Sequence, residues 1–533
     1  MQEERAQKFT EFVAWHTKHI KGYEKGEGQI FFNKLLQAFG NVGILEAGAN
    51  CEERVKKRKG TTGFADFVWK PRVIIELKER GTSLKKHYEQ AFEYWWTLVP
   101  NRPQYMVLCN FDEFWIYDLN IQINDPVHIL KTENLVKDWG ALAFLFPKAE
   151  KSVFNNNNVE VTVEAAKIIG SMFFSMSKRK IDPVLAQKFV LQIVVALFAE
   201  DVNLIPKYTI HKILGDAVKN PITQKEIADL FIAMATEQAS KKLRKYKGIP
   251  YFNGGIFNEV EAIELNFEEL DLLYEASKQD WSKVRPSIFG SIFESSMDQD
   301  KRHNFGAHFT SEIDIQKIVF PTIVRPFRAK IDAAKTKKAL EAVLKEIHHF
   351  KVLDPACGSG NFLYIAFREL RRLEVEVMEL ITEKTGSKQI SLAMVSPKNF
   401  YGIDVNGFGL ELAKVALCIG RKLSADEFKI QDAVLPFANL DDNFFNEDAL
   451  FFKWPEADAI IGNPPFLGGK YLKRDRGEDY ANKVYTTYPE VKGQPDLCVF
   501  WFRKAQDSKA RQVGLVGTNS IAQGQSREAS LDY

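Results

Sequence analysis

The sequence predicts a multidomain α/β protein in three parts: a mixed α/β domain at residues 1–155, an all-helical connector at 156–300 and a doubly wound parallel-sheet domain at 301–533. Three observations carry this reading. The strand-like runs PRVIIELK and QYMVLCNFDEFWIYDL follow an amphipathic opening segment, the mixture expected of an α/β domain. Four asparagines in a row, Asn155 to Asn158, then interrupt the chain, and such a run favours turns over a packed element. In the last third, short apolar runs (FKVLD, NFYGID, DAIIGN, QVGLVGTN) alternate with helical ones, as parallel strands joined by crossovers do.

Between these regions, ADLFIAMATEQA and ELDLLYEAS space their apolar residues as helices do, and the loop KYKGIPYFNGGIF, with Gly254 beside Gly255, interrupts them. The 72 basic and 70 acidic residues leave a net charge of only +2, so any nucleic-acid surface must be local. The five cysteines form no CxxC pair and no zinc-ligand spacing, which fits a reducing, cytoplasmic setting. The longest apolar run, FVLQIVVALFA, is about half of the roughly 20 residues a membrane span needs. The charged opening MQEERAQKFTEF reads as no export signal. The expectation is therefore a protein with no membrane segment.

The most informative segment is KVLDPACGSGNFLYIAFREL. A short strand ending at Asp354, a turn of small residues and a helix beginning near Asn361 allow a ligand to approach the backbone closely. The string Asp354, Pro355, Ala356, Cys357, Gly358, Ser359, Gly360, Asn361, Phe362 resembles the S-adenosyl-L-methionine loop of class I, Rossmann-like methyltransferases, specifically the adenine-N6 DNA methyltransferases. Asp404, in FYGIDVN, would take the ribose hydroxyls, since a carboxylate accepts two hydrogen bonds without competing donors. Asp448, in NEDAL, would accept the amine of the cofactor's adenine, with Asp432 a competitor farther from the next motif.

That motif is Asn463, Pro464, Pro465, Phe466, directly after DAIIG. Two prolines stiffen a loop that has left the sheet, since neither can donate to a strand ladder. Adenine N6 is a poor nucleophile; the Asn463 side-chain oxygen and the Pro464 carbonyl could accept its two protons and aim its lone pair. Phe466 would stack on a base flipped out of double-stranded DNA. A similar tetrad serves methyltransferases acting on a glutamine amide, so its surroundings decide between the substrates. RHNFGAHFTSEID, at 302–314, resembles the lead-in motif of the DNA-modifying enzymes, with Phe309 and Thr310 expected at the methionine end of the cofactor. Phe309 stands for the usual tyrosine and Ser311 for the usual proline.

In GFADFVWKPRVIIELKERG, Asp66 precedes Glu76 and Lys78 by one strand, and alternation puts Glu76 and Lys78 on one face with Leu77 opposite. Two carboxylates can hold Mg²⁺, a hard cation suited to oxygen ligands, and a lysine can steady the charge that develops on a phosphate. The pattern resembles a PD-(D/E)xK nuclease site, with Ala65 where the name's proline belongs. Gln90 and Tyr94, one helical turn apart, resemble its accessory QxxxY motif, and Glu27 is a further candidate metal contact. The basic runs ERVKKRKG, SKKLRKYKG and GGKYLKRDRG could each follow a phosphate backbone or be solvated loops. His348 and His349 read as structural or exposed.

Nuclease, helical spacer and adenine-N6 methyltransferase in this order resemble the MmeI-like, single-chain type IIG and IIL restriction-modification enzymes of prokaryotes. The resemblance implies methylation of one adenine in a recognition sequence and Mg²⁺-dependent cleavage at a set distance, with the helical part as the ruler. It also implies final methyltransferase strands and a target-recognition domain after QVGLVGTNSIAQG; the expectation is that this sequence lacks both, so that the methyltransferase domain is C-terminally incomplete and specificity would come from that missing domain or from a specificity subunit. Two other readings stay open: a modification-only adenine methyltransferase of a defence system with a silent nuclease fold, and a non-catalytic fragment that needs a specificity partner.

Overall fold

The computed structural model describes residues 2–56, 62–120, 125–150, 152–154, 158–252, 255–257, 260, 263–285, 290, 310–386, 394–428, 439–522 and 524–531. It contains two compact units, Met1–Val159 and Glu160–Tyr533. The helical connector and the parallel sheet share the second.

The first unit is built on six strands in sequential order: β1 (Asn50–Lys56), β2 (Thr62–Trp69), β3 (Val73–Leu77), β4 (Tyr105–Cys109), β5 (Glu113–Asp118) and β6 (His128–Lys131). Every neighbouring pair is antiparallel except β3 and β4, which run parallel because helix Tyr88–Thr97 carries the chain back between them. All five residues of β3, VIIEL, are buried. A central strand covered on both faces reads as an apolar run, so the one carboxylate in it, Glu76, stands out. Helices Gln2–His19 and Glu24–Ala38 cover one face through a phenylalanine-rich core that includes Phe31, Phe32, Phe67, Phe111 and Phe114.

In the second unit, helices Asn158–Lys178, Pro183–Asp201, Thr209–Lys219, Lys225–Ala235 and Phe267–Ala276 form the expected helical part. By length and composition Pro183–Asp201 could cross a membrane. Most of it is buried inside this unit instead, where it packs against helix Gly407–Phe428. Its two buried polar side chains are satisfied: Gln192 donates to the Ile256 carbonyl at 2.7 Å, and Glu200 accepts from the Ile210 amide at 2.7 Å.

The remainder is a five-stranded, all-parallel sheet: β7 (Val352–Asp354), β8 (Phe400–Asp404), β9 (Phe444–Asn446), β10 (Ala459–Gly462) and β11 (Gln512–Leu515). Its spatial order is β11-β10-β7-β8-β9. The chain thus builds outward from β7 through β8 to β9 and then returns to β7's other side with β10. Such a reversal opens a crevice at the carboxyl ends of the two central strands, where open α/β sheets bind ligands. Asp354 ends β7, and Asn463 follows β10.

Candidate active site

The glycine turn after β7 is held from several directions. The Asp354 carboxylate accepts from the Ala356 amide at 3.0 Å. The Cys357 amide donates to Ile403 of β8 at 3.1 Å, and Gly360 to the Cys357 carbonyl at 2.8 Å. From the far side, the Trp501 indole donates to the Pro355 carbonyl at 3.1 Å. Gly358 and Gly360 both adopt positive φ (49° and 80°), which favours glycine. A Cβ on Gly360 would lie 2.7 Å from Ala413, whereas one on Gly358 would meet nothing within 4 Å. Gly360 therefore serves helix packing, and Gly358 faces open space.

Asp354 is fully buried, and its second oxygen accepts no hydrogen bond. Burial foremost, and then nearby Asp404, push its pKa up to about 8. Asp404, at the end of β8, accepts from the amides of Gly358 and Asn406, each at 2.9 Å, and burial raises its pKa too. The Asn361 side-chain oxygen is likewise shielded and without a partner. Phe362 is buried in the first turn of helix Asn361–Thr385. The lining fits S-adenosylmethionine: open space over Gly358, a buried orphan carboxylate oxygen at Asp354 and a strand-end carboxylate at Asp404.

Asp448 lies in the loop between β9 and β10. Its carboxylate accepts from the Leu450 amide at 2.9 Å and from the Tyr480 hydroxyl at 2.9 Å. The loop is tied down by Lys504, whose ammonium donates to the carbonyls of Ala449, Leu450 and Phe452 at 2.8, 3.0 and 2.7 Å. Burial lowers the pKa of that lysine to about 8. Neither Tyr480 nor Lys504 carries a sequence signal, because a lysine that binds carbonyls looks like any other lysine.

In the loop after β10, the Asn463 side-chain nitrogen donates to the Thr310 hydroxyl at 3.0 Å. Its oxygen is shielded and accepts nothing. Pro464 is buried, while Pro465 and Phe466 are half-buried. The loop is pinned beyond Phe466, where the Leu467 amide donates to Asp496 at 3.2 Å and the Leu467 carbonyl accepts from the Leu497 amide at 2.8 Å. The basic run that follows forms helix Gly469–Arg476 and exposes Lys470, Lys473 and Arg474. Phe309 and Asp432 lie outside the described residues.

The first unit brings Asp66, Glu76 and Lys78 together. Asp66 on β2 accepts from the Leu77 amide of β3 at 2.8 Å. Lys78 donates to Glu76 at 2.8 Å, and the other Glu76 oxygen is buried without a partner. Burial, and then Asp66, push Glu76 up to about 8, against the pull of Lys78. Burial also raises Asp66. The ion pair outweighs burial at Lys78 and raises its pKa. Gln90 donates to the Tyr94 hydroxyl at 3.2 Å along their helix.

Glu27 is occupied elsewhere: its carboxylate accepts the amides of Lys21, Gly22 and Tyr23. These donors outweigh its burial cost and hold its pKa below the usual range. Glu24, one turn earlier, approaches Lys78 at 3.6 Å. Among the described residues no group of three or more His, Cys, Asp or Glu is arranged to hold a metal. Two carboxylates with one free oxygen still suit Mg²⁺, which keeps several of its waters. The His348 ring contacts Glu374 at 2.9 Å, a structural pairing.

Three domain models of one family match the chain in order: the MmeI N-terminal domain at residues 4–179, the MmeI helicase spacer domain at 185–257 and the MmeI DNA-methyltransferase domain at 330–530. Among curated relatives, DNA methyltransferase A of Bacillus subtilis (strain 168) is 28% identical over 359 residues, covering 63% of this chain and 40% of the relative. The adenine-specific methyltransferase PglX of Streptomyces coelicolor is 24% identical over 210 residues, 31% of this chain and 16% of the relative. Among solved structures, the type IIL restriction-modification enzyme MmeI in complex with DNA is similar with a TM-score of 0.60 and 28% identity, over 69% of this chain and 52% of that one. The chain thus spans about half or less of each of these proteins.

Proposed function

The chain belongs to the MmeI-like family of single-chain restriction-modification proteins, and we propose that it methylates adenine N6 in double-stranded DNA and, through its N-terminal unit, cleaves DNA. The observation that carries the first half is the pair of shielded acceptors without partners flanking the β7/β10 crevice, on Asp354 and Asn463.

S-adenosylmethionine, when bound, supplies an electrophilic methyl group. The open space over Gly358 admits it, Asp404 offers a ribose acceptor and Asp448 an acceptor for its adenine amine. Asn463 and the Pro464 carbonyl accept the two N6 protons of a flipped adenine, and Phe466 stacks on its ring. Lys470, Lys473 and Arg474 provide local positive charge for phosphates beside that loop.

In the N-terminal unit, Asp66 and Glu76 would hold Mg²⁺, which would supply Lewis-acid chemistry at the scissile phosphate. Lys78 stabilises the charge that develops there, with Gln90 and Tyr94 in support. A second reading, a modification enzyme with a silent nuclease fold, draws on the Lys78–Glu76 pairing, which occupies one of the metal-binding oxygens. It also draws on the Bacillus relative, whose name gives a methyltransferase alone. Mg²⁺-dependent nicking of unmethylated phage DNA separates the two: cleavage lost in Asp66→Ala supports the bifunctional reading, and no cleavage by the wild type supports the other. Cofactor binding without methyl transfer would indicate a protein that works only with a specificity partner.

A further inference from the structure

The side chain of a half-buried asparagine keeps one aim only where a neighbour holds its carboxamide in place. Asn463 has such a neighbour. Its nitrogen donates to the Thr310 hydroxyl at 3.0 Å, and its oxygen is left shielded and unbonded. Thr310 comes from a distant part of the sequence and immediately precedes Ser311, the N-cap of helix Glu312–Val319, whose hydroxyl accepts from the Asp314 amide at 3.2 Å. The threonine is thereby anchored at a helix entrance rather than on the loop it meets.

We propose that Thr310 is a positioning residue for methyl transfer: by hydrogen-bonding the carboxamide of Asn463 it holds that side chain at the place where the target base must meet it. This rests on the reading of Asn463 as the acceptor for adenine N6. Released from Thr310, the carboxamide would sample other rotamers, and the nucleophile would be neither held nor aimed. Such a role differs from contact with the cofactor, because it acts on turnover and leaves cofactor affinity alone.

The test uses the full chain with tritiated S-adenosylmethionine and unmethylated phage DNA, comparing Thr310→Val, which keeps the shape and removes the hydroxyl, with Thr310→Ser, which restores it. Thr310→Val should lower kcat by roughly 10- to 100-fold, with KM for the cofactor unchanged. Thr310→Ser should recover most of the rate. A raised cofactor KM at unchanged kcat would assign the hydroxyl to the cofactor and overturn the proposal, as would a Thr310→Val enzyme with wild-type kinetics. A wild-type chain that transfers no methyl group, with all variants failing alike, overturns instead the underlying reading that this chain methylates DNA by itself.

Discussion

A side chain at Gly462 would collide with the carboxylate of Asp354. The last residue of β10 is thus packed, without room for a methyl group, against the last residue of β7. This contact interlocks the two strands between which the chain reverses direction. The glycine turn and the Asn463 loop leave the sheet from these same two positions, so displacing either strand end shifts the other.

Gly462→Ala tests that interlock. The added methyl group must push Asp354 or β10 aside, at a cost of roughly 1–3 kcal/mol as in other overpacked cores. Calorimetry should show cofactor affinity falling at least tenfold while far-ultraviolet circular dichroism stays native. Unchanged affinity would mean that the contact is slack.

Asp354 gives a pH signature. Its folded pKa of about 8 exceeds the usual value of 3.8, so the folded protein holds a proton that the unfolded chain releases. This contribution to stability is fully present below the unfolded pKa and is lost as pH rises through the folded one. Between about pH 5 and about pH 8.5 the cofactor-free wild type should lose several degrees of melting temperature relative to Asp354→Asn. Parallel pH profiles would show that the carboxyl is not buried as described.

Much of this was legible beforehand, for physical reasons. DPACGSGNF and NPPF are short because each must make a particular turn at a strand end, and such turns need glycine or proline at fixed places. β3 was legible because a strand buried on both faces must be apolar, which exposes Glu76 as the exception. The contacts of Thr310, Trp501 and Lys504 were not legible. Each joins segments far apart in sequence through an ordinary side chain, and no local pattern encodes such a meeting. Glu24 and Glu27 show the same limit: both lie in the first turn of helix Glu24–Ala38, and only the fold decides which approaches Lys78 and which caps the chain entry.

That pair can be tested directly. Glu24→Gln should reduce Mg²⁺-dependent cleavage about tenfold or more with little change in stability. Glu27→Gln should leave cleavage nearly intact and lower stability by roughly 1 kcal/mol, the usual worth of a lost cap. Nicking assays and thermal melts on both variants decide it, and the reverse pattern would restore Glu27 as the metal contact.

Lys504→Met removes the donor shared by three carbonyls next to Asp448. The loosened loop should bind S-adenosylmethionine about three- to tenfold more weakly, the cost of roughly one net hydrogen bond. Since Asp448 would be misplaced rather than lost, Asp448→Ala should have the larger effect. Equal affinities for wild type and Lys504→Met would place the loop outside the cofactor site.

The central claim is that this chain carries a methyl-transfer site at Asn463 separate from a cleavage site at Asp66. The most direct test is tritiated methyl incorporation into unmethylated DNA by the wild type, Asn463→Ala and Asp66→Ala, with release of N6-methyladenine on hydrolysis. N6-methyladenine is expected from the wild type and from Asp66→Ala, and none from Asn463→Ala. Methylation that survives in Asn463→Ala, or a product other than N6-methyladenine, would contradict it.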